Sequence, residues 1–195
     1  MISRKKLESA FQEETKRFER THQKSKEMFD AAQSSLLEGV PMNWMVRWAG
    51  SWPVFVSKAK GAHITDVDGN DYIDFCLGDT GSMIGHASDA TVRAISEAVK
   101  KGTTFMLPTE DAIHNGKELQ RRFGMKYWQF TTSATDANRF VLRLARAITG
   151  RKKILAFDWC YHGSVDETVA TLDENGNVIP KPGNVGPQVN PAQTS

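Results

Sequence analysis

A chain of 195 residues that is 39% hydrophobic and 25% charged has room for one sizeable core or two small ones, and this composition excludes a wholly disordered protein. The net charge is +2 with acidic and basic residues interspersed, which leaves no basic footprint for nucleic acid. Cys76 and Cys160 are the only cysteines, too few and too far apart for a disulfide framework or a structural metal site, and either suits a buried thiol.

The first element runs from Arg4 to Leu37 without Pro or Gly, and Leu7, Phe11, Phe18, Met28, Phe29, Ala32 and Leu36 recur at near-helical intervals. The spacing predicts a long amphipathic helical arm over residues 1–38, with a break near Thr21 and His22. No apolar run reaches membrane-spanning length and the N-terminus has no continuous apolar stretch, so a cytoplasmic protein with no membrane partner is expected. Residues 39–85 read as short strands around the turn Asp66-Val67-Asp68-Gly69-Asn70. That Asp-rich turn lacks the ligand spacing and closing Glu of a calcium loop, so it reads as a hairpin.

From residue 86 the pattern becomes helical. Ser88 is placed to cap a helix over Asp89 to Lys101, and Thr109 to cap another over Glu110 to Phe123 that stops at Gly124. A strand at Tyr127 to Thr131, a helix from about Thr135 to Thr149 with Gly150 beyond it, and a strand at Lys153 to Phe157 then read as a parallel crossover. The last stretch is rich in Pro, Gly and Asn, with a hairpin around Asn175-Gly176-Asn177. An α/β domain with so few parallel strands is incomplete, because parallel sheets are covered on both faces.

Two segments at the ends of those strands can carry chemistry. In FTTSATDANRF, Phe130 to Phe140, a strand empties into a helix whose first N–H groups and positive dipole end suit a phosphate, with Ser133 and Thr135 adding hydroxyls. An ordinary cap by Ser133 or Thr135, with Asp136 complementing the dipole, accounts for the same residues. In FDWCYHGSVDE, Tyr161 and His162 precede a flexible Gly163. Parallel strands open at one edge, so an aromatic ring there and a phosphate at Ser133 to Thr135 fit one planar phosphorylated ligand. A Tyr-His pair that merely packs and hydrogen-bonds is the simpler alternative.

The order of GAHITDVDGNDYIDF, GHASDATVRAISEAVKKG, LPTEDA and TTSATDANRFVLRLARAITGRKKILAFDWCYHGSVDE resembles the N-terminal part of class III pyridoxal phosphate-dependent aminotransferases, glutamate-1-semialdehyde aminomutase and related transaminases among them. The resemblance implies a PLP-dependent transferase fold of type I, aspartate aminotransferase-like, with 39–85 in its small domain and 86–195 the first part of its large cofactor-binding domain. It implies a homodimer that binds pyridoxal 5'-phosphate and moves an amino group between a small-molecule amine or amino acid and a keto acid or aldehyde.

The family's S-G-T-E-A segment becomes Ser133-Ala134-Thr135-Asp136-Ala137, so Ser133, Ala134 and Thr135 inherit the phosphate role, and Ala134 fits only where φ is negative. Tyr161 matches the aromatic residue over the pyridine ring, with His162 and Gly163 shaping the same wall. Arg47, in WMVRW, matches an Arg that meets a substrate carboxylate, although an Arg lying along Trp44 and Trp48 explains it equally. Gly78 to Met83 replaces an aromatic S-W-G-P segment of the aminomutases, which favours ordinary transamination over intramolecular transfer. The Schiff-base lysine belongs to a later segment in the family, and none of the lysines here has its context. The expectation is the N-terminal portion of an enzyme roughly twice as long, inactive alone; a short non-catalytic relative that binds a phosphorylated ligand or a partner chain is the alternative.

Overall fold

Charged residues dominate the stretch after Ser3, and a stripe of Leu7, Phe11 and Phe18 gives its helix a single apolar edge. In the computed structural model, which describes residues 3–183, it forms two helices, α1 (Arg4–Thr21) and α2 (Gln23–Ala32), parted at His22. The expected break is present, and the second helix ends at Ala32, with a 3-10 turn at Leu37–Gly39 where the helix was expected to end. The chain divides into two compact units, one up to Met106 and one from Leu107.

A break in a helix uncovers N–H groups at the start of the next one. Asp68 covers them from a distant turn: its Oδ1 accepts from the Lys24 N–H at 2.7 Å, and its Oδ2 accepts from the Ser25 N–H at 3.0 Å and the Ser25 hydroxyl at 2.8 Å. A carboxylate here also meets the positive end of the helix dipole. The turn carrying Asp68 joins β2 (His63–Asp66) to β3 (Asp71–Ile73), and β1 (Val56–Lys60) completes an antiparallel sheet in the order β1-β2-β3. The hairpin expected at Asp66–Asn70 is therefore found, with Gly69 at φ +92°.

Asp66 is almost fully buried and accepts from the Asn70 N–H at 2.8 Å, the Asn70 amide at 2.9 Å and the Tyr72 hydroxyl at 2.9 Å. Burial pushes its carboxyl up, but the Asn70 and Tyr72 hydrogen bonds outweigh that and hold it below the usual carboxylate range. Desolvation, reinforced by Asp66, pushes the Tyr72 hydroxyl up to about 12. The same hydroxyl lies 2.6 Å from His22 Nε2, and the Trp52 indole donates to the His22 carbonyl at 2.9 Å. Helix break, turn and sheet thus share one polar cluster, and among the described residues no group of acidic, His and Cys side chains is disposed to hold a metal.

The later helices follow their local signals. In the first unit α3 (Asp89–Val99) is capped by the Ser88 hydroxyl. In the second unit α4 (Glu110–Phe123) and α5 (Ala134–Thr149) both stop at left-handed glycines, Gly124 and Gly150. Thr109 precedes α4 without capping it through its side chain. The hairpin at Asn175–Asn177 joins β4 (Ala170–Leu172) to β5 (Val178–Pro180), an antiparallel pair. Residues 184–195, the end of the expected large-domain segment, lie outside the described residues.

The structure corrects two further expectations. Tyr127–Thr131 and Lys153–Phe157 form no parallel pair, because a strand exists only with a hydrogen-bonded neighbour and neither segment has a ladder partner among the described residues. Their side chains Tyr127, Phe130, Leu155 and Phe157 stay more than half exposed. Cys76 and Cys160 are exposed rather than buried thiols. Among the described residues the buried apolar side chains are Val40, Val165 and Ala170, while Phe140, Val141, Leu144 and Ile148 leave one face of α5 uncovered. No helix of the described residues is long and apolar enough to cross a membrane.

Replacing Asp68 with Ala removes the acceptor at the start of α2 and is expected to lower stability by about 1–2 kcal/mol in urea unfolding. Burial raises the Asp68 carboxyl, but hydrogen bonds from Lys24 and Ser25 outweigh it, so its folded-state value is lowered. Its contribution is therefore complete above the unfolded carboxylate range and is lost as pH falls below about 4. Urea midpoints measured across that window should fall less steeply for Asp68→Asn than for the parent chain.

Candidate cofactor site

The start of α5 is built from polar residues close together in the chain. The Ser133 hydroxyl accepts from the Asp136 N–H at 3.2 Å and donates to the Asp136 carboxylate at 3.1 Å, while the Thr132 hydroxyl donates to that carboxylate at 3.3 Å. This is a reciprocal cap in which Asp136 turns back on the residue that caps it. It leaves the N–H groups of Ala134 and Thr135, the first two of the helix, without a hydrogen bond among the described residues. Capping and anion binding are therefore compatible here: Ser133 serves Asp136, and the two free N–H groups stand at the positive end of the dipole. Ala134 has ordinary right-handed backbone, which meets the condition for placing Ala where the family has Gly.

The second segment closes onto this turn. Gly163 has φ +80°, and a Cβ added there would fall 2.3 Å from Thr135 Oγ1 and 2.9 Å from Thr135 Cα. Only a residue without a side chain permits the approach. The Ser164 N–H donates to Thr135 Oγ1 at 3.1 Å, which leaves the Thr135 O–H itself free to donate. The Asn138 amide donates to the His162 carbonyl at 2.8 Å, and the Arg139 guanidinium to the Ser164 carbonyl at 2.9 Å. Beyond the loop Val165 is fully buried, and Glu167 pairs with Arg146 at 2.7 Å, a contact that holds the Glu167 carboxyl below its usual range.

The structure thus brings Gly163 against Thr135 and ties His162 to Asn138 of the same helix, while no hydrogen bond or ring contact joins Tyr161 to Ser133, Ala134 or Thr135 among the described residues. Tyr161 is 85% exposed, available to lie against a ring. His162 is half-buried and, with Asn138, Val141, Leu155 and Thr168, lines a cleft of about 150 Å³. Arg47 belongs to the first unit, at the exposed end of the 3-10 turn Asn43–Arg47, where Trp44 and Trp48 meet edge to face with centroids 6.0 Å apart. Sequence reasoning passed over Asn138 and Arg139. Asn138 stands one helical turn after Ala134, so the helical period alone places it on the same side of α5 as the free N–H of Ala134.

Two free N–H groups and a free hydroxyl at the start of α5 form a donor set that fits a phosphate group. The aminotransferase class-III model matches residues 44–194, most of the chain. The chain belongs to the class III aminotransferases. The glutamate-1-semialdehyde 2,1-aminomutase of Methanocaldococcus jannaschii is 44% identical over 144 residues, 73% of this chain and 33% of that protein. Among solved structures, a glutamate-1-semialdehyde-aminomutase from Pseudomonas aeruginosa PAO1 superposes with TM-score 0.92 at 45% identity, covering 98% of this chain and 42% of that one; a lysine-to-alanine variant of that enzyme has been solved in complex with PMP. An omega-transaminase from Sphaerobacter thermophilus gives TM-score 0.73 at 31% identity, over 83% of this chain and 38% of that one. The chain thus spans about a third of its curated relative and has the PLP-dependent fold of type I. Class III aminotransferases use pyridoxal phosphate, and the donors at the start of α5 are chemically compatible with its phosphate.

Gly163→Ala forces its Cβ against Thr135 and is expected to dislodge the 161–164 loop. Hydrogen exchange should report this as faster exchange of the Ser164 amide, with the Asp136 amide, bonded within the cap, little changed.

Proposed function

We propose that this chain is the N-terminal portion of a pyridoxal phosphate enzyme that moves an amino group, working as a homodimer, and that its reaction is intramolecular transfer on glutamate-1-semialdehyde. The similarity to the Pseudomonas aeruginosa aminomutase, 45% identical along almost the whole of this chain, supports this reading above any other observation. The first turn of α5 binds the phosphate through the Ala134 and Thr135 N–H groups, with the Thr135 hydroxyl as a third donor. Tyr161 covers the ring, and Gly163 lets that wall approach the phosphate turn. Arg47 receives a substrate carboxylate by a paired, charge-assisted contact. When bound, the cofactor supplies the electron sink that such chemistry needs. The lysine that attaches it and the carboxylate that partners its ring nitrogen are assigned to polypeptide outside this sequence, so the 195-residue chain alone is expected to be inactive.

Ordinary transamination between an amine or amino acid and a keto acid is the second reading. It is favoured by Gly78 to Met83, which is polar where the aminomutases carry an aromatic segment. Entry into that segment runs through left-handed backbone, with Leu77 at φ 52°, Gly78 at 58°, Asp79 at 49° and Thr80 at 78°. Left-handed backbone is costly for non-glycine residues, most of all for β-branched Thr80, and strain of this kind collects at functional sites.

The experiment is an assay of the endogenous polypeptide purified from its source cells. Supplied with glutamate-1-semialdehyde alone, it is expected to form the isomer with the amino group moved and to consume no second substrate. Turnover only when a separate amino donor and keto acceptor are both present would replace the first reading with the second. No turnover and no cofactor retained would overturn both.

A further inference from the structure

We propose that Asn138 is a positioning residue that ties the Tyr161 wall to the phosphate-binding turn, so that the two halves of the cofactor site move as one body; this rests on the pyridoxal phosphate reading above. The case begins with location. Asn138 follows Ala134 by one turn of α5, so it occupies the same side of the helix as the first of the free N–H groups, one level further along the axis. From there its amide donates to the His162 carbonyl at 2.8 Å, in a partly buried setting. The accepting carbonyl belongs to the peptide between the candidate wall and Gly163, one residue after Tyr161.

The surrounding contacts show why one hydrogen bond matters. The loop residue next in line, Gly163, is left-handed and without a side chain, so it contributes no anchoring side-chain contact and has the widest backbone freedom in the loop. Two sets of contacts flank it. On one side the Ser164 N–H reaches Thr135 Oγ1, and the Arg139 guanidinium reaches the Ser164 carbonyl, but both are solvent-exposed. On the other side stands the Asn138 contact, nearer Tyr161 and better shielded from water. A shielded bond resists competition that an exposed one does not. Tyr161 itself is 85% exposed and has no side-chain hydrogen bond among the described residues, so its placement depends on the backbone that carries it.

Asparagine is suited to this task because it presents a donor at short reach while remaining neutral beside the helix start. Aspartate in its place would be nearly isosteric but would set a carboxylate against the His162 carbonyl, two acceptors with no proton between them. Glutamine would keep the donor on a longer arm.

The test uses the 195-residue chain with pyridoxal phosphate as the probe, comparing the parent with Asn138→Asp and Asn138→Gln. Three quantities are read: cofactor release after dilution, the circular dichroism of the bound ring, and hydrogen exchange across residues 161–165 without cofactor. Asn138→Asp is expected to release the cofactor about tenfold faster, the scale of one lost hydrogen bond, to lose most of the ring's induced dichroism and to exchange faster in the loop. Asn138→Gln should recover part of each. Parent-like release, dichroism and loop exchange in Asn138→Asp would overturn the inference. If the parent binds no cofactor, binding of pyridoxal phosphate by this chain fails as a reading, and exchange alone decides: unchanged loop exchange in Asn138→Asp overturns the positioning role, and faster exchange confined to 161–165 upholds it. Thermal unfolding of each variant separates loss of the loop contact from loss of the fold.

Discussion

The close approach of Gly163 to Thr135 is the constraint on which the candidate site depends. Backbone within reach of backbone admits no Cβ, and the chain meets that demand with the one glycine of its Tyr161–Val165 stretch, held in the left-handed conformation that glycine tolerates. Two hydrogen bonds flank that contact. The Ser164 amide reaches Thr135, and the Asn138 amide reaches the His162 carbonyl on the other side of Gly163. The start of α5 and the loop around Gly163, 25 residues apart in the chain at the Arg139–Ser164 contact, become neighbours through backbone geometry rather than through a large apolar core.

The two units solve the same problem, uncapped helix N–H groups, in opposite ways. At α5 the solution is local, with Ser133 and Asp136 three residues apart. At α2 the cap arrives from Asp68, 44 positions from Lys24 along the chain. The local cap is self-contained and leaves two N–H groups unclaimed for a ligand. The distant cap consumes the helix start and in exchange pins helix, turn and sheet together, with Asp66 and Tyr72 supplying the buried polar bonds behind it. A helix start becomes a structural joint in one unit and a candidate binding surface in the other.

This contrast explains what could be read from the sequence. Ser88, Gly124, Gly150 and the turn at Asn175–Asn177 announce element ends through chemistry confined to a few residues, and each sits where its residue type required. Ser133 to Thr135 and Tyr161 to Gly163 pair in the sequence through an expected parallel-strand edge and through family spacing; the strands are absent among the described residues, and Thr135 meets Gly163 through a close backbone approach instead. Asn138 was not legible, because its meaning lies in a carbonyl 24 residues away. Tyr127–Thr131 and Lys153–Phe157 fit a strand–helix–strand order in the sequence, but a ladder is a property of two segments and neither finds its partner among the described residues. Cys76 and Cys160 were judged by the burial typical of their residue type, whereas burial is decided by neighbours.

The uncovered face of α5 has a thermodynamic consequence. Phe140, Val141, Leu144 and Ile148 keep more than half of their surface in water, so the water over that face is released whenever another apolar surface covers it. Association at this face would carry a negative heat-capacity change and, near room temperature, be driven by entropy. Such contacts tighten on warming and loosen in the cold, and sulfate or phosphate salts strengthen them where chaotropes undo them. The temperature and salt in which the chain is kept therefore govern whether that helix meets water or another surface.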